Sequence, residues 1–156
     1  MKSRYICSQS AADAAERILR RSCLPRQKPV ESIIDARSKF ERRVSLATVL
    51  RQFSKGLGSY VSLPMILKFM CMVSTRLPLS ARNLYRLLLI GIILSVKILK
   101  DTSIDNTHFS NATNIPLDEL NTMEREFLKL CEYQLFVSEH EYACYLRSLV
   151  KETLRS

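Results

Sequence analysis

The chain has 156 residues, 47% of them hydrophobic, which is enough for one domain with a substantial core. With only three glycines and few alternating β-branched runs, a β-sandwich is excluded and an all-α fold is predicted. The net charge of +9 gathers at one end: residues 1–55 hold 13 Lys or Arg against 5 Asp or Glu, whereas residues 116–156 hold 5 against 8.

The N-terminal third, residues 1–43, is predicted to be a basic extension with one or two short helices. Residues 10–21 form the first, with Ser10 as N-cap. Its apolar face is thin, so docking and disorder both remain open. Pro25 and Pro29 mark a linker, and residues 32–43 give a weaker second helix. Interrupting charges argue against a secretory segment, and Asp13 and Glu16 against a mitochondrial one.

Residues 44–156 are predicted to form the domain, beginning with two amphipathic helices. Apolar residues at helical spacing indicate a helix from Ser45 to about Leu57 and another from Ser62 to about Leu77. Pro64 is tolerated in the first turn of the second helix.

The stretch from Leu87 to Val96 is apolar at every position except Gly91 and Ser95. A membrane span needs about 20 such residues, so a run this short indicates a helix sheathed by other helices. We expect Ser80 to cap this central helix and the helix to end near Leu99. The architecture that follows is a five-helix bundle around it.

Residues 101–115 are polar and are predicted to be a loop with a short helical turn at residues 107–111. Pro116 then opens a helix that reaches Cys131. After a connector, Ser138 and Glu141 have the spacing of a capping box that begins the last helix.

The chemistry of a catalyst is missing from the sequence. It contains no Gly-rich phosphate loop, nucleophile elbow or metal-binding cluster, and the five cysteines are scattered without Cys-x-x-Cys spacing. The carboxylates of residues 118–126 are interpreted as a helix start favoured by the dipole, and His108 and His140 as solvated. We therefore do not expect an enzyme, a cofactor or a metal site. Because the cysteines form no disulfide framework, we expect the protein to lie in a reducing compartment, the nucleus and/or the cytoplasm.

Four stretches resemble the cyclin box, and more narrowly the single-box Pho80-like (P- or U-type) cyclins. They are RVSLATVL (43–50), YRLLLIGIILSVKILKD (85–101), DNTHFSNATNI (105–115) and DELNTMEREFLKLCEYQLFVSEHEYACYL (118–146). The most specific part is the ordered set Lys97, Asp101, Asn106, Glu119, Asn121, Glu124, Phe127, Leu128, Leu135 and Val137. The resemblance implies a single cyclin box.

It also implies a subunit, monomeric when free, that binds and activates a cyclin-dependent protein kinase. Lys97 and Glu124 match the cyclin residues that hydrogen-bond the kinase backbone beside its αC helix. Apolar positions match the groove for that helix, and three polar positions support them. The apolar set is Ile98, Leu128, Tyr133, Leu135 and Phe136, and the supporting set is Asp101, Asn106 and Asn121.

The residues themselves agree with those roles. Glu124 and Leu128 are four apart and share a helical face, so a charged anchor lies beside an apolar seat. Lys97 suits a helix C-terminus and is spaced to pair with Asp101. The alternative is that these charges only form surface ion pairs, each worth about 0–1 kcal/mol.

Two departures from the cyclin pattern are visible. Arg76 lacks the Asp that usually precedes it, which leaves it without that partner. Asn114 stands where a Gly-Gly pair is common, so we expect Asn114 to take the left-handed conformation.

Two other functions remain as alternatives. A cyclin-fold domain that binds nucleic acid, as in transcription factors, would use the charge of +9, and a helical adaptor would bind a partner other than a kinase. The basic residues lie mainly in the poorly patterned third with few aromatics, which argues against nucleic acid. A membrane partner is not expected.

Overall fold

The computed structural model describes residues 9–22, 60–80 and 82–155. In that part of the chain the regular elements are six α-helices, with no strand. They are α1 (Gln9–Arg21), α2 (Leu63–Ser74), α3 (Leu84–Leu99), α4 (Asn106–Thr113), α5 (Leu117–Leu130) and α6 (Glu139–Thr153). The all-α prediction is confirmed. The helices expected at residues 32–43 and 45–57, and the division between residues 43 and 44, lie outside the described residues.

Helix α3 is the centre of the bundle, as its unbroken apolar run predicted. Its residues from Leu84 to Val96 are buried except for Tyr85, and it packs against α2 and α5. The two non-apolar positions of its run have packing roles. At Gly91 the missing side chain lets Ile66 approach, and the hydroxyl of Ser95 accepts a 2.9 Å hydrogen bond from the backbone N–H of Ser62.

The start of α3 differs from the prediction. The helix begins at Leu84, with Asn83 at the N-cap position, and Ser80 does not cap it. The Asn83 side chain instead holds the preceding turn: its oxygen accepts from the Ser80 N–H at 2.9 Å and its amide donates to the Pro78 carbonyl at 3.0 Å. A tight turn after Pro78 therefore delays the helix by one turn.

Helix α1 docks on the bundle, which settles the choice left open by the sequence. Its buried face packs against α6 and α2 and consists of Ala11, Ala12, Ala14, Ala15 and Leu19. Four alanines make this face thin but flat, so the backbone of α1 can lie close to its neighbours. Docking thus needs little apolar volume per residue.

The loop after α3 contains more helix than expected. The predicted turn at residues 107–111 is the two-turn helix α4, whose first N–H groups, those of Thr107 and His108, donate to the Asp105 carboxylate at 3.1 and 3.4 Å. Asn114 ends the helix with φ 57°, so its predicted left-handed conformation is confirmed.

The capping box of α6 is also confirmed. The Ser138 hydroxyl accepts from the Glu141 N–H at 3.2 Å, and the Glu141 carboxylate accepts from the Ser138 N–H at 3.0 Å. The same carboxylate pairs with Lys68 of α2, which ties the start of α6 to that helix. None of the described helices is long and apolar enough to cross a bilayer.

Candidate partner-binding surface

Three helices meet at a polar cluster around Glu124. Lys97, in the last turn of α3, donates to one carboxylate oxygen of Glu124 at 2.6 Å. Asn106, at the start of α4, donates from its amide to the other oxygen at 2.5 Å and to the side-chain oxygen of Asn121 at 2.8 Å. Asn106 is buried, while Lys97 and Glu124 are partly exposed. The family resemblance had named all four of these residues for the site, and the structure brings them into one hydrogen-bonded cluster.

Asp101 does not join this cluster. The predicted Lys97–Asp101 ion pair is absent from the described part of the chain, where Lys97 pairs with Glu124 instead. Spacing of i to i+4 brings two side chains together only on a continuous helix. Here α3 ends at Leu99 and Lys100 is extended, with ψ 127°, so Asp101 is carried to an exposed position off the helix.

Exposed apolar side chains lie close in sequence to the two helices that carry the charged pair of the cluster, at the end of α3 and just after α5. Phe136 is 82% exposed and Tyr133 is 65% exposed, both in the connector between α5 and α6. Ile98 is also exposed, and so is Leu99, which sequence reasoning missed although it directly follows Ile98. A contiguous apolar patch rimmed by polar residues is typical of a protein interface, whereas a single exposed apolar side chain is common on protein surfaces.

The remaining two predicted groove residues lie deeper. Leu128 and Leu135 are half-buried and pack against the core. The predicted apolar set therefore includes three exposed residues and two that are partly buried against the core.

The connector has an uncommon backbone. Glu132 and Tyr133 both have positive φ, 53° and 58°, a conformation that costs non-glycine residues free energy. Two contacts hold it: the Tyr133 N–H donates to the Leu128 carbonyl at 2.9 Å, and the Glu132 carboxylate pairs with Arg76 at the end of α2. Arg76, which lacks the Asp that usually precedes it in cyclins, therefore has an acid distant in sequence as its partner.

A buried ion pair joins α3 to α5. Arg86 donates to the Glu119 carboxylate at 2.7 Å and also contacts the sulfur of Met123 at 3.8 Å. Sequence reasoning interpreted the acids of residues 118–126 as a helix start favoured by the dipole and missed this contact. The available signal was Arg86 itself, a cation one position before the apolar run of a buried helix, which needs a counterion.

Other reactive groups of the described residues form no catalytic arrangement. No group of three or more His, Cys, Asp or Glu in the described ranges is placed to hold a metal ion. Cys71, Cys131 and Cys144 are free thiols, and burial raises the pKa of Cys131 to about 11. His108 and His140 are exposed, as predicted.

Comparison with known proteins identifies the fold. A family model described as Cyclin matches residues 11–135. PHO85 cyclin-6 and PHO85 cyclin-7 of Saccharomyces cerevisiae are 37% and 38% identical over 67 and 69 residues, which cover 43% and 44% of this chain. Cyclin-U2-2 of Arabidopsis thaliana is 26% identical over 107 residues, or 69% of the chain.

The matched stretches span 16%, 24% and 46% of those three relatives, so each relative is much longer than the part it shares with this chain. The family match covers most of the chain and includes α1, which the sequence had assigned to an extension. The chain belongs to the cyclin family, and within it to the Pho80-like group.

Proposed function

We propose that this protein is a regulatory subunit, not an enzyme, that binds and activates a cyclin-dependent protein kinase. Membership of the cyclin family supports the class of function. The observation that carries the proposal for this chain is the exposed apolar pair, Tyr133 and Phe136, in the connector that directly follows α5, the helix that carries Glu124 of the Lys97–Glu124 ion pair.

The apolar side chains would receive the αC helix of the kinase. Phe136 and Tyr133 offer most of their surface to a partner, and burying an aromatic side chain of this size contributes about 1.5–3 kcal/mol. Ile98 would add to the same seat, with Leu128 and Leu135 beneath it. Aromatic residues surrounded by a polar rim commonly dominate the binding energy of such interfaces.

The polar cluster would fix the position of the helix. Lys97 uses one donor on Glu124 and has others available for kinase carbonyl groups, since an ammonium carries three N–H bonds. Each Glu124 oxygen keeps a lone pair for a kinase N–H. Asn106 and Asn121 hold Glu124 in place, and Asp101 would contribute only from its exposed position outside the cluster.

Activation would follow from a shift in the kinase population. A cyclin that binds only the inward position of the αC helix stabilises that state and completes the Lys–Glu pair that positions ATP. The free energy that shifts the kinase toward its active state then comes from the same contacts that give affinity, and this chain performs no chemistry.

The test is recovery of a kinase with affinity-tagged protein expressed in cells of its source, followed by mass spectrometry. We expect a cyclin-dependent kinase with the wild type, and its loss with Phe136→Ala and with the double variant Lys97→Glu/Glu124→Ala. Leu117→Ala is the matched control, because Leu117 is an exposed apolar residue outside the proposed surface.

Phe136 is so exposed that its truncation should leave the fold intact, which circular dichroism can verify. Equal kinase recovery from the wild type and both variants would reject the proposed site. Recovery of other proteins or of nucleic acid, with no kinase, would reject the proposed function.

A further inference from the structure

A second surface, unrelated to the kinase site, lies at the far end of α6. Residues 17–21 and 147–155, the last turns of α1 and α6, together carry six cations and one carboxylate. The cations are Arg17, Arg20, Arg21, Arg147, Lys151 and Arg155, and the carboxylate is Glu152. We call this the α1–α6 basic surface. Glu16, directly before this range, pairs with Arg20, and counting it leaves four positive charges in excess.

Glu152 of α6 connects that helix to α1 through ion pairs. Arg17 donates to its carboxylate at 3.2 Å, Arg21 donates at 2.8 and 2.9 Å, and Arg155 lies 3.9 Å away. The Arg21 guanidinium, followed by Arg17, holds the pKa of Glu152 below its usual value. The Glu152 side chain is only 6% exposed, whereas all three guanidinium groups reach solvent. One inward carboxylate therefore leaves a net positive charge facing outward.

Arg147, Lys151 and Arg155 continue this surface along α6. All three are exposed and four residues apart, so they follow one another in steps of about 6 Å. Within the described part of the chain, neither Arg147 nor Lys151 forms an ion pair. The helix dipole favours cations in a last turn, but Arg147 lies two turns before the end of α6. The dipole alone thus does not account for this row of three cations, which we call the cationic stripe.

Two exposed apolar side chains lie among the cations of α6. Leu154 is 81% exposed and Val150 is also exposed, and both lie on the same outer face of α6 as Arg147 and Lys151. Exposed leucine beside a cationic stripe offers a partner both charge pairing and apolar burial. A purely solvated basic face has no physical need for it.

We propose that the α1–α6 basic surface docks an extended, acidic segment of a partner protein. Alternate side chains of an extended chain point to one side about 6.6–6.8 Å apart, close to the 6 Å spacing of the stripe. Glu or Asp at alternate positions of the segment pairs with Arg147, Lys151 and Arg155, and an apolar side chain of the segment covers Leu154 and Val150.

The surface is separate from the proposed kinase site. Helix α6 begins beside the connector that carries Phe136 and runs about 21 Å to its last turn. The helices α1 and α6 pack on α2, whereas the Glu124 cluster lies on α3, α4 and α5. A kinase and an acidic segment can therefore bind at the same time.

The residues favour a protein segment over nucleic acid or a lipid surface. Residues 17–21 and 147–155 include no Phe, Tyr or Trp on which a base could stack. Two exposed apolar side chains are also few for insertion into a bilayer interface, where a whole helical face is usually apolar.

The test is fluorescence anisotropy with a labelled nine-residue peptide, using the full chain without a kinase. The peptide has Glu at its third, fifth and seventh positions, to match the three cations of α6, Leu at its ninth and Ser elsewhere. At low salt we expect saturable binding that Arg147→Glu/Lys151→Glu weakens at least tenfold and that added salt weakens steeply. Arg125→Glu/Lys129→Glu is the matched control, since it changes the net charge equally on exposed residues of α5 and should change the affinity less than twofold.

Three outcomes would overturn the proposal. The control variant could weaken binding as much as the patch variant, which would mean attraction by net charge alone. A peptide with Gln in place of Glu could bind equally well. Single-stranded oligothymidylate, or phosphatidylcholine vesicles containing phosphatidylserine, could bind more tightly and lose that binding in the patch variant.

Folding is checked by circular dichroism, and Arg147→Gln/Lys151→Gln serves if charge reversal disturbs the helix. Because no kinase is present in this assay, failure of the docking proposal and failure of the kinase proposal give separate results.

Discussion

The buried pair between Arg86 and Glu119 predicts an unequal response to loss of its two members. The Arg86 side chain is 5% exposed and that of Glu119 is 23% exposed, with 2.7 Å between their bonded atoms. Glu119→Leu removes this carboxylate while the guanidinium stays in the interior, and removing one partner of a buried ion pair typically costs 3–5 kcal/mol. Water that reaches the half-open Glu119 side places the cost near the lower end, at about 3 kcal/mol.

Arg86→Met should be far milder. Methionine fills similar space beside Met123, and the remaining Glu119 carboxylate can turn toward water, so we expect a cost of about 1 kcal/mol or less. In Arg86→Met/Glu119→Leu no charge is stranded, and the double variant should be more stable than Glu119→Leu alone. A much larger loss of stability in Glu119→Leu than in Arg86→Met is what a buried cation with a partly solvated counterion predicts.

Urea unfolding of the four proteins measures this order, with thermal unfolding as a second readout. For a chain of this length about 3 kcal/mol corresponds to a fall in melting temperature of about 6–12 °C. The reasoning is refuted if Arg86→Met costs as much as Glu119→Leu, or if the double variant loses the sum of the two single losses.

Two further predictions concern the core and the acid response of the fold. A β-carbon added at Gly91 would lie 3.3 Å from a methyl group of Ile66. Gly91→Val should therefore destabilise the fold by about 1–3 kcal/mol, and Gly91→Ala by much less. Equal melting temperatures for Gly91→Val and the wild type would contradict this. The pKa of Glu141 is lowered from 4.5 to about 2, first by Lys68 and then by Ser138. Its ionised form therefore stabilises the fold above about pH 4.5, and this contribution is lost as the pH falls toward 2. Glu141→Gln, which keeps an oxygen for the capping box, should show a smaller loss of stability in urea over that pH range, and an unchanged pH slope would count against it.

Features that depend on neighbouring residues in the chain were predictable. The uniform apolar run of α3 indicated a helix covered on all sides, and the structure buries it. The capping box at Ser138 and the left-handed Asn114 follow from the hydrogen-bonding and steric properties of single residues at a helix end. Such signals act within about one turn, so no tertiary information is needed to read them.

Features that depend on a choice between partners were not predictable in this way. Lys97 had an acid four residues ahead and another twenty-seven residues ahead, and only the end of α3 at Leu99 decides for Glu124 over Asp101. Arg76 likewise finds Glu132 across the bundle. In both cases the partner is set by where a helix ends or how the helices pack, and not by spacing along the sequence.

The candidate site itself came from the family resemblance, because nothing local marks Tyr133 and Phe136 as exposed. Their position depends on two successive left-handed residues, an arrangement that amino-acid type does not announce when neither residue is glycine. That backbone is held by the end of α5 on one side and by Arg76 of α2 on the other. The exposure of the aromatic pair is therefore a tertiary property, built by the same bundle that positions Lys97 against Glu124. A surface held by these contacts needs little ordering on binding, which would lower the cost of the proposed binding to an αC helix.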